Sequence, residues 1–556
     1  MAQAKAKKKS PVKKKSAAKE ESLGEIESLV KKESVVKNAS PVKKERRPRI
    51  LIVTPEITYL PTGMGNMADK LTAKAGGLAD VSASLVAALF DLGADVHVAL
   101  PHYRRMFHVD VGQLINDELR VYKSRLPDSR IHLAEDRCFY YRDTVYSNSQ
   151  EENPKLALAF TREIVNNIIP TVQPDLIHCN DWMTGLIPAA ARRMGIPCLF
   201  TVHNIHTHDL SLARIEDAGI DAAEFWGNLY FKRPPLNYEE SRSTNFVDMQ
   251  ASGVFASHFI NTVSPTFLQE IVNGWHDFIP RELRQEIRNK FKAGCAAGIL
   301  NAPDVSDNPE TDPLIKMKYT AENHREAKRI NKMSFQRKMG LEENPDVPIF
   351  FWPSRLDPAQ KGPQLLTQIL FRFFSRYWKE RVQVAVVANG VYQKAFYEIL
   401  KQHELYGRLA ICDFNQGMSK LGFAASDFIL VPSLFEPCGL PQMVGQLYGS
   451  LPIVHDTGGL HDTVEHLDIP HNTGNGFSFK IYDSRGLEWA MDQAMAFYKR
   501  PSDERERQIQ RVMTEGKKRF THDACAQRYI GIYEKMLDRP LVKAVEDHAE
   551  KVPIEL

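Results

Sequence analysis

The sequence predicts an α/β protein with two doubly wound domains that face each other across a cleft. Three observations carry the prediction. From residue 49 onward, short apolar runs alternate with helix-compatible stretches; a segment rich in Pro, Asn and Asp at 298–314 interrupts them; and the same alternation restarts at 347. Such alternation points to parallel sheets, because parallel neighbours need a crossover long enough to hold a helix. At 556 residues the chain has room for two or three domains with a sizeable core.

The first series opens at "RPRILIVTPE", where Pro48 precedes a strand, and a helix is expected from about Leu78 to Leu92. "DVHVALP" (95–101), "PDLIHCNDW" (174–182), "PCLFTVHNI" (197–205) and "ASHFINTVSPTFLQEI" (256–271) continue it as further strands, the last three ending in polar residues or leading into helices. "GILNAPDVSDNPETDPL" (298–314) reads as a long loop, and a Lys-rich helical stretch follows from about 319 to 340. The second series runs through "VPIFFWPSRLDPAQKG" (347–362), "RVQVAVVANG" (381–390), "LAICDFN" (409–415), "DFILVPSLFEPCGL" (427–440) and "LPIVHDTGGL" (451–460). Amphipathic helices around 486–499 and 523–537 close the chain. In sheets of this kind ligands bind outside the carboxyl ends of the strands.

No apolar run approaches the roughly 18 residues of a membrane span, so no membrane partner is expected. The net charge of +3 hides an asymmetry: residues 1–49 hold 16 Lys and Arg against 6 Glu, which leaves the remaining 507 residues at −7. Residues 1–48, with "SPVKK" at 10–14 and again at 40–44, offer too little apolar surface to offset chain entropy and are expected to be disordered. A solvated tail is the first reading, and a polyanion-binding arm is the alternative. The start lacks the apolar region of a secretory signal and is not an Arg-rich, acid-poor transit peptide. The seven scattered cysteines lack metal spacing and fit reduced thiols, so a cytoplasmic protein is expected.

Most of the polar clusters fall at strand ends. "VPSLFEPCGLPQM" (431–443) sets Glu436, Cys438 and Gly439 after a buried strand. A buried carboxylate is costly unless donors meet it, and a ligand carrying hydroxyl groups would supply them. "KAGGLADV" (74–81) places Lys74, Gly76 and Gly77 just before a helix, where the backbone can approach a ligand and open N–H groups suit an anion. "DTGGLHDTVEH" (456–466) repeats that arrangement with Gly458 and Gly459. "SRLDPAQKG" supplies Arg355 and Lys361, two cations suited to a diphosphate leaving group whose developing charge needs compensation. With no clustered Asp or His pattern for Mg²⁺, cationic side chains take that work, and neither metal nor other cofactor is expected. His178, Asp181, His203 and Asn204 stand at successive strand ends. His203, His206 and His208 have a zinc-like spacing, but no cysteine or acidic pair completes a ligand set.

"KAGGLADV", "TVHNI", "NTVSPTFLQEI", "GILN…NPETD", "SRLDPAQKG", "LFEPCGLPQM" and "TGGLHDTV" stand in the order seen in bacterial glycogen synthases and plant starch synthases. Over about residues 49–535 the chain resembles that family. The resemblance implies a GT-B fold, with a tail (1–48), an N-terminal Rossmann-like domain on the acceptor side (49–342), a C-terminal one on the nucleotide-sugar side (343–520), and a C-terminal helix packing back towards the N-terminal domain (521–556). It implies retaining transfer of glucose from ADP-glucose, with UDP-glucose as the other candidate donor, to the 4-OH ending an α-1,4-glucan. Lys74, His203, Arg355, Lys361 and Glu436 are then the catalytic set. Lys74 with Gly76 and Gly77 faces the diphosphate and glucose, His203 bonds a glucose hydroxyl, and Arg355 and Lys361 hold the leaving phosphates. Glu436, Cys438, Gly439 and Leu440 form the donor-side motif, and Thr457, Gly458 and Gly459 a phosphate-facing helix start. Asp80, Asp181 and Asn204 join the substrate-binding side, and Asn301 lines the acceptor side. The retaining outcome would follow from departure of the diphosphate with attack from the same face.

The chain departs from the family pattern in places. "GILNAPD" replaces "GILNGID" or "GILNGVD", so Ala302 and Pro303 stiffen a loop near the acceptor. Arg355 and Lys361 are six apart where many members have five, which bears on the reach of Lys361. His455-Asp456 stands where a basic residue is common, "VANGV" (387–391) replaces an "LGSGD"-like turn, and 232–250 lacks the usual Lys-Gly pair. The donor side matches and the acceptor side is altered. The alternatives are a catalytically silent homologue that binds glucan or polyanion, and a related synthase using another nucleotide sugar.

Overall fold

The structure, a computed structural model, describes residues 46–542 except 66, 69, 108–129, 148 and 150. The reading of the basic tail therefore falls almost wholly outside the described residues, as do residues 543–556. The described residues from Pro48 onward belong to one compact unit.

Seven strands make the first sheet: β1 (Arg49–Val53), β2 (Asp95–Pro101), β3 (Ile131–Ala134), β4 (Leu176–Asn180), β5 (Cys198–Val202), β6 (Phe259–Thr262) and β7 (Ala296–Gly298). They lie in the order β3-β2-β1-β4-β5-β6-β7, and every pairing is parallel. Ile50 to Val53 of β1 are all fully buried, as expected of a strand covered on both faces, which explains its unbroken apolar run. Six strands make the second sheet: β8 (Ile349–Trp352), β9 (Gln383–Val387), β10 (Leu409–Cys412), β11 (Phe428–Val431), β12 (Leu451–His455) and β13 (Phe477–Phe479). Their order is β10-β9-β8-β11-β12-β13, again all parallel. Each sheet reverses its winding beside its first strand, between β1 and β4 and between β8 and β11. That reversal opens a crevice at the carboxyl edge.

Six helices matter for the site: α1 (Gly77–Asp91), α2 (Pro265–Asn273), α3 (His324–Met339), α4 (Pro363–Arg376), α5 (Gly458–Thr463) and α6 (His522–Leu537). The loop at 298–314 extends without helix or strand from 299 to 323. Residues 315–341, expected with the first domain, pack instead on the second sheet. Ile315, Tyr319, Ala327, Phe335 and Leu341 share a core with Ile349 and Phe351 of β8. Lys328 Nζ donates to the carbonyls of Ala424, Ser426 and Tyr448 at 3.2, 2.9 and 3.0 Å. The apolar face of α3 thus finds its partner after the crossover. Helix α6 returns to the first sheet: Tyr529 and Tyr533 lie in its core, and Tyr533 Oη is 2.8 Å from His178 Nδ1. His178 is consequently a fully buried core group, its pKa lowered to about 3 by burial. Among the described residues no helix is long and apolar enough to cross a membrane.

Candidate active site

At the carboxyl edge of the second sheet, β8 runs into the turn bearing Arg355 and Lys361, β11 into Glu436, and β12 into Thr457. Lys361 Nζ donates to Glu436 Oε2 at 2.6 Å, with only 13% and 8% of the two side chains exposed. Ser433 Oγ adds a second donor to the same oxygen at 3.0 Å, and the buried imidazole of His455 donates from Nδ1 to the Ser433 carbonyl at 2.8 Å. The buried carboxylate thus has its donors within the protein, and the extra residue between Arg355 and Lys361 does not keep the ammonium from reaching it. Arg355 is exposed, and among the described residues its guanidinium has no hydrogen bond or ion pair. It does act on His206 of the first lobe: after desolvation, its charge is the next cause lowering that imidazole's pKa.

The turn at Gly439 has φ +71°, the left-handed region that favours glycine. Gly458, at φ +47°, shares that region, and the Thr457–Gly459 segment needs its glycines for close packing as well. A Cβ on Gly458 would lie 2.1 Å from the Glu436 carbonyl oxygen, and one on Gly459 would lie 2.0 Å from that of Cys438. Gly459 N donates to the Glu436 carbonyl at 2.9 Å. Gly458 N donates to Glu270 Oε1 of α2 at 2.8 Å. These N–H groups are spent inside the protein. The expected open, phosphate-facing helix start is therefore corrected: the glycine pair serves close packing of α5 on the donor loop. Burial pushes the Cys438 thiol far above its usual range, so it lines the loop as a neutral group.

In the first lobe, Lys74 Nζ grips both oxygens of Asp80 at 2.9 and 2.7 Å. Burial raises the Asp80 carboxyl, and Lys74 works against that rise. The N–H groups of Ala75 and Gly76 both donate to Glu56 Oε2, at 2.6 and 2.9 Å. The expectation that the Gly76 N–H is open to a ligand is therefore corrected too. A Cβ on Gly77 would lie 3.2 Å from Leu440 Cδ1, so this turn sits directly against the donor loop of the other lobe. Glu56 follows β1 within "VTPE" and is buried; burial raises its carboxyl against those two N–H donors.

Asp181 has φ +63° with ψ 178°, a region nearly confined to glycine and typical of strained functional positions. Its carboxylate is buried and accepts long bonds, 3.4 Å from the Asn204 N–H and 3.4 Å from Gln250 Nε2, with the Trp182 N–H also acting to lower it. Burial raises it to about 7. Asn204 Oδ1 is occupied locally by the Ile205 N–H at 2.8 Å. His203 Nε2 lies 2.9 Å from Asn180 Oδ1, and Asn180 Nδ2 donates to the Val53 carbonyl at 3.2 Å. That second bond turns Oδ1 towards the ring, so Nε2 carries the proton and Nδ1 is left as an acceptor. Desolvation lowers His203 to about 3, which keeps it neutral. His203, His206 and His208 do not converge: His208 packs on Trp182 with ring centroids 4.6 Å apart. Among the described residues no group of three His, Cys, Asp or Glu side chains is arranged to hold a metal ion.

The Asn301 N–H acts to lower the Cys438 thiol against its burial, and among the described residues the buried Oδ1 of Asn301 has no hydrogen-bond partner. The fold therefore joins residues predicted separately, Lys361 with Glu436, Gly77 with Leu440 and Asn301 with Cys438, and it pairs Lys74 with Asp80 within one motif. Sequence reasoning missed Glu56, Asn180, Gln250, Glu270 and Ser433. Glu56 alone carried a usable signal, an acid immediately after an apolar strand.

Two parallel sheets facing across such an edge, with cations and a carboxylate on one side and buried acids on the other, are the GT-B arrangement of a glycosyltransferase. The family described as starch synthase catalytic domain matches residues 49–280. The glycogen synthase of Geobacillus stearothermophilus is 30% identical over 513 residues, covering 84% of this chain and 96% of that protein. That of Exiguobacterium sibiricum is 32% identical over 457 residues, covering 76% and 89%. The solved catalytic domain of starch synthase IV from Arabidopsis thaliana, bound to ADP and acarbose, superposes with a TM-score of 0.70 at 25% identity, covering 89% of this chain and 100% of that one. The chain belongs to the glycogen and starch synthase family and is a glucosyltransferase.

Proposed function

We propose that the protein transfers glucose from ADP-glucose to the 4-OH at the non-reducing end of an α-1,4-glucan, with retention of configuration. The observation that carries this reading is the buried Lys361–Glu436 pair beside Arg355, whose guanidinium is unpaired among the described residues. Cationic charge held at the carboxyl edge suits a departing diphosphate, where fixed charge acts without reorganising. The C1–O bond to the diphosphate breaks as C1 bonds to the acceptor O4 on the same face, and the acceptor proton passes to a leaving phosphate oxygen. Glu436 and the Nδ1 acceptor of His203 take hydrogen bonds from glucose hydroxyls. Asn301 Oδ1, buried without a donor among the described residues, takes one from the acceptor side. Lys74, held by Asp80, completes the cationic wall.

The ADP in the starch synthase IV structure supports an adenine nucleotide in the matching cleft. The cytoplasm is the proposed compartment, and the seven cysteines are free thiols. Labelled ADP-glucose and UDP-glucose, each incubated with glycogen and the protein, test the reading: label should enter α-1,4-linked chains from ADP-glucose in preference. Consumption of neither donor would refute it.

A further inference from the structure

We infer that Glu270, a residue of the N-terminal lobe, is a positioning residue for the donor loop of the C-terminal lobe. The inference rests on the proposed role of Glu436 as a ligand of the transferred sugar. Glu270 lies on α2 and is 2% exposed. Its Oε1 accepts from Thr457 Oγ1 at 3.0 Å and from Gly458 N at 2.8 Å, while its Oε2 meets His276 Nε2 at 2.8 Å. The glycine pair it holds is packed on the Glu436 and Cys438 carbonyls, so a path of direct contacts runs from α2 to the main chain of Glu436. A second brace reaches the preceding residue: Phe435 packs against Phe278 of the N-terminal lobe, with ring centroids 4.4 Å apart, and belongs to the core of the first sheet.

The contact is reciprocal. Asp462 of α5 accepts from the Thr266 N–H at 3.2 Å and from Thr266 Oγ1 at 2.6 Å at the start of α2, and also from Ser264 Oγ. Each helix carries the acid that caps the other, an arrangement suited to the exposed N–H groups and positive end of a helix start. A relative shift of the lobes breaks both caps together and removes the N-terminal lobe's hold on the glycine pair packed against Glu436. The donor pocket is therefore built by both lobes, although every residue predicted to face the leaving diphosphate, apart from Lys74 and the Gly76-Gly77 turn, lies on one.

Glu270→Ala tests this, because an acceptor-lobe substitution should alter donor binding. Losing charge-assisted bonds of this kind should raise the nucleotide-sugar KM about tenfold or more, with the glucan KM unchanged. Glu270→Gln keeps an acceptor for Thr457 and Gly458 and should recover most of the loss. A merely structural role would lower thermal stability and the active fraction but leave the donor KM in place. If Glu270→Ala does not fold, Thr457→Val carries the test, with a donor KM raised roughly threefold for one lost bond. Donor KM within experimental error of the parent in these variants, alongside an inactive Glu436→Gln, overturns the inference while the reading of the site stands. A parental rate in Glu436→Gln overturns that reading and the inference with it.

Discussion

Lys361→Ala removes one partner of an ion pair that is closed off from water. With the two side chains 13% and 8% exposed and 2.6 Å apart, the carboxylate left behind cannot simply rehydrate, and among the described residues only Ser433 Oγ still donates to it. Breaking a buried pair from one side costs about 3–5 kcal/mol, whereas an exposed pair is worth under about 1 kcal/mol. Turnover should fall ~10²–10³-fold, the scale for losing one preorganised group where charge develops. A second substitution separates the two effects. In Lys361→Ala/Glu436→Gln the orphaned charge is gone, so most of the stability should return while turnover stays low. Urea unfolding gives the first quantity and nucleotide release at saturating donor gives the second. A stability cost below about 1 kcal/mol together with turnover within about twofold of the parent would refute both the burial argument and the leaving-group role.

Gly459→Ala puts a methyl 2.0 Å from the Cys438 carbonyl oxygen; it should cost about 3 kcal/mol by overpacking and abolish transfer, read by unfolding and label incorporation. Asp181 has a folded pKa of about 7 against about 3.9 unfolded, so the stability it confers is complete below the lower value and is lost as pH rises through the upper one. Asp181→Asn should therefore be roughly 2–4 kcal/mol more stable than the parent at pH 8 and show little difference at pH 4. Equal urea midpoints at both pH values would contradict this. Lys328→Met strips donors from three carbonyls in the second core and should cost about 3 kcal/mol or more while leaving the kcat of the folded fraction unchanged.

The fold was legible where the chain states it locally. Continuous apolar runs such as Ile50–Val53 and Phe428–Val431 announced buried parallel strands, and the long Pro- and Asn-rich loop marked the crossover. The three-residue strands Ala296–Gly298 and Phe477–Phe479 went unread, because they are too short to show a period. Helix α3 was seen as a helix, but its amphipathic face does not say which sheet it covers. The site divides in the same way. Glu436 and Lys361 stand out within their own motifs, yet their pairing spans 75 residues and emerges only when β8 and β11 lie side by side. Gly458 and Gly459 stand out in the sequence as a phosphate-facing helix start, whereas the fold packs them against the Glu436 and Cys438 carbonyls. Glu270 looks like any helical glutamate until α5 meets it.

Crystals grown with ADP test most directly whether Arg355 and Lys361 form the pole that receives the diphosphate. The expected electron density places phosphate oxygens within hydrogen-bond reach of the Arg355 guanidinium and the Lys361 ammonium, at the carboxyl edge of β8. A diphosphate seated away from both groups, or an Arg355 side chain turned out of the cleft with nucleotide bound, would contradict it.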